Sequence, residues 1–166
     1  TDLFSIGGTG ANTYEVMSGT SMSTPNAAGS LLLLQELYSK LHGGRMMKSA
    51  TLKTLAIHSA KEAGFFPGPD YSMGWGLVDV GAAAALLLKE DGASNRIEEL
   101  SIADGVTFEI QLQPAVNKKI TATIAWTDPP GSPTTPSLDP STPMLVNDLD
   151  IRIVDALGNE QRPWIL

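Results

Sequence analysis

The spacing of apolar residues divides the chain into two parts. In the first part apolar side chains recur every three or four residues, which predicts helices. Those helices cover residues 21–41, 49–63 and 80–88. In the second part apolar and polar residues alternate, which is typical of strands with one buried face. The predicted strands are 108–112, 120–126 and 149–153.

The turn and capping residues between these segments indicate where each element ends. Residues 1–18 mix short apolar pairs with glycine and asparagine, which predicts a strand, a turn and a strand before a glycine loop. His42 followed by two glycines indicates the end of the first helix, and Asp79 is an N-cap for the third. The run 31–34 is leucine throughout, so we expect the first helix to be buried on nearly all sides.

Helices followed by strands predict two domains. We assign residues 1–90 to an α/β domain and 91–96, which are polar, to a linker. Residues 97–166 are assigned to an all-β domain of the sandwich or jelly-roll kind. Because a sandwich needs about seven strands, and because the chain opens without methionine, we expect this sequence to be a piece of a longer protein.

Composition excludes several functions. The 166 residues carry a formal net charge of −7, which argues against a nucleic-acid partner. No cysteine is present, so a disulfide framework, a thiolate metal site and a cysteine nucleophile are excluded. No apolar run approaches the length of a membrane span.

The segment with the clearest chemistry is 18–25, which reads SGTSMSTP. It places Ser21 where a glycine-bearing loop enters a helix. Free N–H groups at a helix N-terminus can donate hydrogen bonds to a developing oxyanion. Taken alone, Thr20-Ser21 favours a simple helix cap.

The same segment resembles the serine motif of the subtilisin-like (subtilase) proteases: glycine, threonine, serine, methionine, alanine or serine, any residue, proline. The resemblance covers about residues 1–90 and implies the C-terminal part of a parallel-sheet α/β catalytic domain. It implies that Ser21 is the catalytic nucleophile and that Gly19 and Thr20 support the oxyanion loop. Met17 and Ser18 resemble residues on the leaving-group side of a bound peptide, although simple loop roles are equally open.

Family order also implies that the catalytic aspartate, the catalytic histidine and the side-chain amide of the oxyanion hole precede Thr1. We therefore expect this piece alone to be inactive. His42 is interpreted as a residue at a helix C-terminus and His58 as structural. The segments 126–128 and 145–150 resemble the β-domain that follows the catalytic domain in some large bacterial subtilases.

The function implied is a serine endopeptidase that acts on polypeptides, with the upstream part of its own catalytic domain as partner, and that is secreted or resides in the cell envelope. The alternative is a non-catalytic protein whose β-domain is an interaction module. The chemistry needs no cofactor. Asp148 and Asp150 are candidate ligands for a structural calcium, but alternating carboxylates on a strand more often form a solvated face.

Overall fold

The computed structural model describes residues 2–90, 97–113 and 119–164. In chain order the elements are β1 (Leu3–Ile6), β2 (Tyr14–Met17), α1 (Thr20–Leu41), α2 (Ser49–His58), α3 (Val80–Leu88), β3 (Ile153–Val154) and β4 (Glu160–Gln161). The architecture is therefore a mixture of helices and small sheets. All three predicted helices are found.

The first two strands form a hairpin, as the pattern of residues 1–18 predicted. The register pairs Leu3 with Met17 and Ser5 with Glu15, so these four residues share one face. Strands β3 and β4 pair in the same antiparallel sense. Within the described ranges no two strands run parallel, so the implied parallel sheet is not seen. Its absence has a physical reason, since parallel neighbours need a long crossover and only residues 7–13 separate β1 from β2.

The helices enclose the hydrophobic core. Its buried members are Leu34, Tyr38, Met47, Leu55, Ala83 and Leu87. The side chain of Gln35 fixes the loop after α1, because its amide donates to the carbonyl oxygen of Met47 at 3.0 Å and accepts from the Met47 N–H at 2.9 Å. That pairing holds Met47 over the core.

The ends of α1 and α3 agree with the sequence prediction. His42 is the C-cap of α1, and Gly43 and Gly44 follow with φ of 63° and 89°, a conformation that favours glycine. The Asp79 carboxylate accepts a hydrogen bond from the Ala82 N–H at 2.8 Å and so caps α3.

The expectation that α1 is buried on nearly all sides is wrong for this chain. Leu34 is 2% exposed, but its neighbours Leu32 and Leu33 are 68% and 62% exposed. Helices α2 and α3 contact the side of α1 that carries Leu34 and Tyr38, and the opposite side faces solvent.

Helix α2 ends at His58, five residues before its predicted end. The reason is a competing backbone pairing further along the chain. Lys61 N–H donates to the Leu77 carbonyl at 2.8 Å, and Leu77 N–H donates to the Lys61 carbonyl at 2.9 Å. This isolated β-bridge uses the backbone of Lys61, which the helix would otherwise need.

The all-β domain predicted for residues 97–166 is not confirmed. In its described part the strands are β3 and β4, each two residues long, and residues 108–112 and 120–126 belong to no strand. Of the third predicted strand, Ile153 alone lies in β3. Alternation makes a strand only where a neighbour supplies the ladder, and here Phe108 and Leu112 remain exposed.

Residues 97–164 nevertheless contact the helices. Glu99 binds the start of α2, Thr123 binds His58, and the Trp164 ring lies against Gly68, where an added Cβ would come within 2.6 Å of it. The linker prediction, 91–96, falls outside the described residues, and the two-domain division stays a prediction. In the described chain, no helix combines the length and the hydropathy that crossing a membrane requires.

Candidate active site

Ser21 is the second residue of α1 and is exposed to solvent. The loop that delivers it comes directly from β2 through Ser18 and Gly19. Gly19 is the N-cap, with φ 153° and ψ 174°. A Cβ there would meet nothing closer than the Met22 sulfur at 4.0 Å, so the backbone angle rather than lack of space favours glycine at this position.

The first turn of α1 leaves polar backbone groups free. Met22 and Ser23 donate the first helical hydrogen bonds, both to the Gly19 carbonyl at 3.1 Å. The N–H groups of Thr20 and Ser21 precede those bonds and have no carbonyl acceptor within the helix. They lie at the positive end of the α1 dipole.

Pro25 lies inside the same helix. Because proline has no N–H, the carbonyl of Ser21 lacks the donor that a helix normally provides four residues later. The hydroxyl of Ser23 bonds back into this turn, donating to the Thr20 carbonyl at 3.1 Å and to the Gly19 carbonyl at 3.4 Å. Ser23 therefore holds the turn around Ser21, and among the described residues the Ser21 hydroxyl has no hydrogen-bond partner.

A cavity of about 270 Å³ lies between the β1–β2 hairpin and the start of α1. Its apolar lining residues are Leu3, Ile6, Met17, Met22 and Pro25. Its polar lining residues are Ser5, Glu15 and Ser21. Ser21 thus lines a cavity whose other lining residues are mostly apolar and include one acidic residue, Glu15.

The other residues named from the sequence lie around this recess. Met17, at the end of β2, lines it and is 47% exposed. Gly19, Thr20 and Ser18 are exposed loop and helix-start residues that lie outside its lining. The structure therefore brings Met17 together with Ser21 in one cavity, but not Ser18.

No histidine lies at this cavity. Along the described chain, neither His42 nor His58 lines it or hydrogen-bonds to Ser21. His42 Nδ1 lies 3.0 Å from the Tyr38 carbonyl oxygen, and its ring stacks on Tyr38 with centroids 3.8 Å apart. Its place at the C-terminus of α1 confirms the sequence interpretation.

His58 ends α2 and is half-buried, with Nδ1 2.9 Å from Thr123 Oγ1. Burial lowers the pKa of His58 because the charged imidazolium loses solvation. The ring is therefore neutral near pH 7 and joins α2 to the segment around residue 123. This is the behaviour of a structural histidine.

The calcium candidates are exposed. Asp148 and Asp150 flank the half-buried Leu149. Within the part of the chain that the structure describes, no three or more histidine, aspartate or glutamate side chains converge on one point. A structural calcium at Asp148 and Asp150 stays a prediction.

Two polar features were not found by sequence reasoning. One is Glu15. It lies two residues before Met17 on β2 and therefore on the same face of the hairpin, a signal that could have placed it in the cavity with Ser21. The other joins the segments 126–128 and 145–150: the Asp128 carboxylate accepts from the N–H groups of Val146 and Asn147 at 2.7 and 2.9 Å. Burial alone would raise the pKa of Asp128, but these bonds and one from the Asn147 amide lower it overall.

Comparison with known proteins gives one match. The model of peptidase family S8, the subtilase family, matches residues 5–76, which include β2, α1 and all but one of the cavity residues. Searches of curated proteins and of solved structures returned no match.

Proposed function

We propose that Ser21 is the nucleophile of a serine endopeptidase, because the model of the subtilase family of serine proteases matches residues 5–76. In this proposal the general base and the acid that orients it are a histidine and an aspartate encoded upstream of this sequence. The substrates are polypeptides. The family assignment also supports a secreted or cell-envelope location.

The proposed reaction is acyl transfer in two steps. Ser21 Oγ attacks the scissile carbonyl carbon while the upstream histidine accepts the hydroxyl proton. The tetrahedral intermediate then breaks its C–N bond, and the histidine returns the proton to the departing amine. Water, deprotonated by the same histidine, cleaves the Ser21 ester and releases the acid product.

The position of Ser21 carries the proposal. Its hydroxyl is exposed at the cavity, and the adjoining N–H groups are free to donate to an oxyanion. In the proposal the Ser21 N–H supplies one such donor, and an upstream amide supplies the other. Gly19 and Thr20 support the loop that presents both groups.

The test is Ser21→Ala in the full-length protein, with kcat for a peptide as the measurement. We expect a loss of at least about a thousandfold, because the acyl-enzyme cannot form without the nucleophilic hydroxyl. Ser23→Ala is the matched control: it removes a hydroxyl from the same helical turn, one that bonds only to backbone, and should change kcat by less than about tenfold. Retention of activity by Ser21→Ala would contradict the proposal and favour a non-catalytic role.

A further inference from the structure

Glu15 is the only ionisable group among the described residues that line the cavity beside Ser21. It lies on β2 opposite Ser5 and is half-buried. No lysine or arginine in the described ranges forms an ion pair with it. Glu15 is thus an acidic residue without a cationic partner at a cavity whose other lining residues are mostly apolar.

The Glu15 side chain is held in place by its own hairpin. Thr9 Oγ1 donates a hydrogen bond to Glu15 Oε1 at 3.2 Å. The side chain also crosses the backbone of Gly7, where an added Cβ would lie 2.7 Å from Glu15 Cγ. Gly7 is buried, so any larger residue there would displace the glutamate. The carboxylate is therefore positioned by contacts that leave Oε2 available.

The rest of the cavity suits an apolar stem. Leu3 and Met17 on the hairpin and Met22 on α1 line the same cavity as Glu15 and Ser21. Lysine and arginine are the side chains that combine a long apolar stem with a cationic head. Such a side chain can place its methylene groups against these residues and its charge at Glu15 Oε2.

We propose that Glu15 determines substrate specificity, selecting polypeptides that present a lysine or arginine close to the bond cleaved at Ser21. This inference rests on the proposed function. Glu15 acts on binding of the substrate side chain and takes no part in the proton transfers. The net charge of −7 adds a long-range attraction for basic peptides.

The experiment uses the full-length protein and peptides that differ at one position at a time near the cleaved bond. Each position carries either lysine or norleucine, which keeps most of the apolar stem and lacks the ammonium group. At the position that enters the cavity, kcat/KM for lysine should exceed that for norleucine by about fivefold, the upper end of the range for a partly exposed ion pair. Glu15→Gln should bring this ratio close to one.

Glu36→Gln is the matched control. Glu36 is an exposed glutamate of α1 that pairs with Lys40 and lies outside the cavity, so this variant should keep the wild-type ratio. A wild-type ratio near one at every position, or a ratio that Glu15→Gln leaves unchanged, would overturn the specificity role while activity itself upheld the proposed function.

A binding measurement separates the two proposals fully. Fluorescently labelled versions of the lysine and norleucine peptides are titrated with Ser21→Ala protein and with the double variant that also carries Glu15→Gln. If the lysine peptide binds more tightly and Glu15→Gln abolishes the difference, the specificity role is supported, even if the wild-type protein cleaves neither peptide. Absence of cleavage would contradict only the proposed function. Equal binding of both peptides would overturn the specificity role.

Discussion

Residues 2–90 and the described part of 97–164 differ in how their backbone N–H and C=O groups find hydrogen-bond partners. In the first region the helices supply their own hydrogen bonds, and their apolar faces meet in one core. In the described part of the second region long stretches belong to no helix or strand, and large side chains such as Phe108 and Leu145 are more than half exposed. Apolar residues thus form a core in the first region, whereas many of them lie on an open surface in the second.

The second region is held instead by hydrogen bonds between side chains and backbone groups. The Asp128 carboxylate accepts hydrogen bonds from the N–H groups of Val146 and Asn147. Trp126 Nε1 donates to the Asn147 carbonyl at 3.0 Å. Asp155 performs a similar role in the turn before β4, accepting from the N–H groups of Leu157 and Asn159. These contacts fix loops without burying apolar area.

The difference follows from the range of the hydrogen bonds. A helix bonds each residue to one four positions away, so the backbone hydrogen bonds of α1 need no neighbouring element. A strand must find its partner elsewhere in the chain. An amphipathic helix pattern is therefore informative by itself, whereas an alternating pattern describes a structure only together with the strand that completes it.

The largest expected effect separates the two regions directly. Leu34→Ala removes a side chain that is 2% exposed in the core and should lower the free energy of unfolding by about 3 kcal/mol. Leu112→Ala, in the extended region, removes the same atoms from a site that is 45% exposed and should cost less than about 1 kcal/mol. Urea unfolding followed by circular dichroism measures both.

Leu33→Ala is the control for helix propensity, since Leu33 neighbours Leu34 on α1 but is exposed. It should behave like Leu112→Ala. If Leu112→Ala proved as costly as Leu34→Ala, residues 97–164 would have a core of their own, and the contrast between the regions would be wrong.

A smaller effect concerns the contact through which the second region supports the first. Helix α2 has no side-chain cap of its own at Lys48. Glu99 supplies one from outside the helix, accepting from the Lys48 N–H at 3.0 Å and from the Thr51 hydroxyl. Burial acts to raise the pKa of Glu99, but the Thr51 and Lys48 contacts lower it overall.

Glu99→Ala should therefore destabilise the protein by about 1 kcal/mol, the usual cost of losing a helix cap. Hydrogen exchange should accelerate most at the first-turn amides of α2, because local opening then needs less free energy. Glu99→Gln keeps an acceptor oxygen and should lose less. Equal exchange in wild type and Glu99→Ala would show that the α2 terminus does not depend on the second region.

How much of the fold the sequence predicts follows the same division. The bounds of α3 and the start of α1 were predicted closely, because Asp79 and the glycine loop at Gly19 act on their immediate neighbours. The end of α2 was not predicted, since it depends on Leu77, sixteen residues after Lys61. The strands predicted in 108–126 failed for the same reason, because their partners are not set by local pattern.

The candidate site shows the same limit. Ser21 was selected from a motif seven residues long, which contains the whole local geometry of loop and helix start. Glu15 was missed because its position beside Ser21 depends on the pairing of two strands and on the room that Gly7 provides. Residues that act through a neighbour in the fold leave no contiguous signature in the sequence.

The smallest expected effect tests His58, which joins the two regions through Thr123. Burial lowers the pKa of His58 below its ordinary value of about 6.5, so the unfolded chain takes up a proton at a higher pH than the folded protein does. The stability present above pH 6.5 is therefore lost as the pH falls from about 6.5 toward the folded-state pKa. Urea unfolding of wild type and His58→Gln at several pH values between 7.5 and 5 measures this loss, and the variant should lack the part of the slope that belongs to His58. Thr123→Val is the matched control: it removes the hydrogen bond but keeps the ring buried, so it should lower stability at every pH while preserving the slope. Loss of the slope in Thr123→Val would mean that the hydrogen bond, and not burial by the second region, keeps His58 neutral.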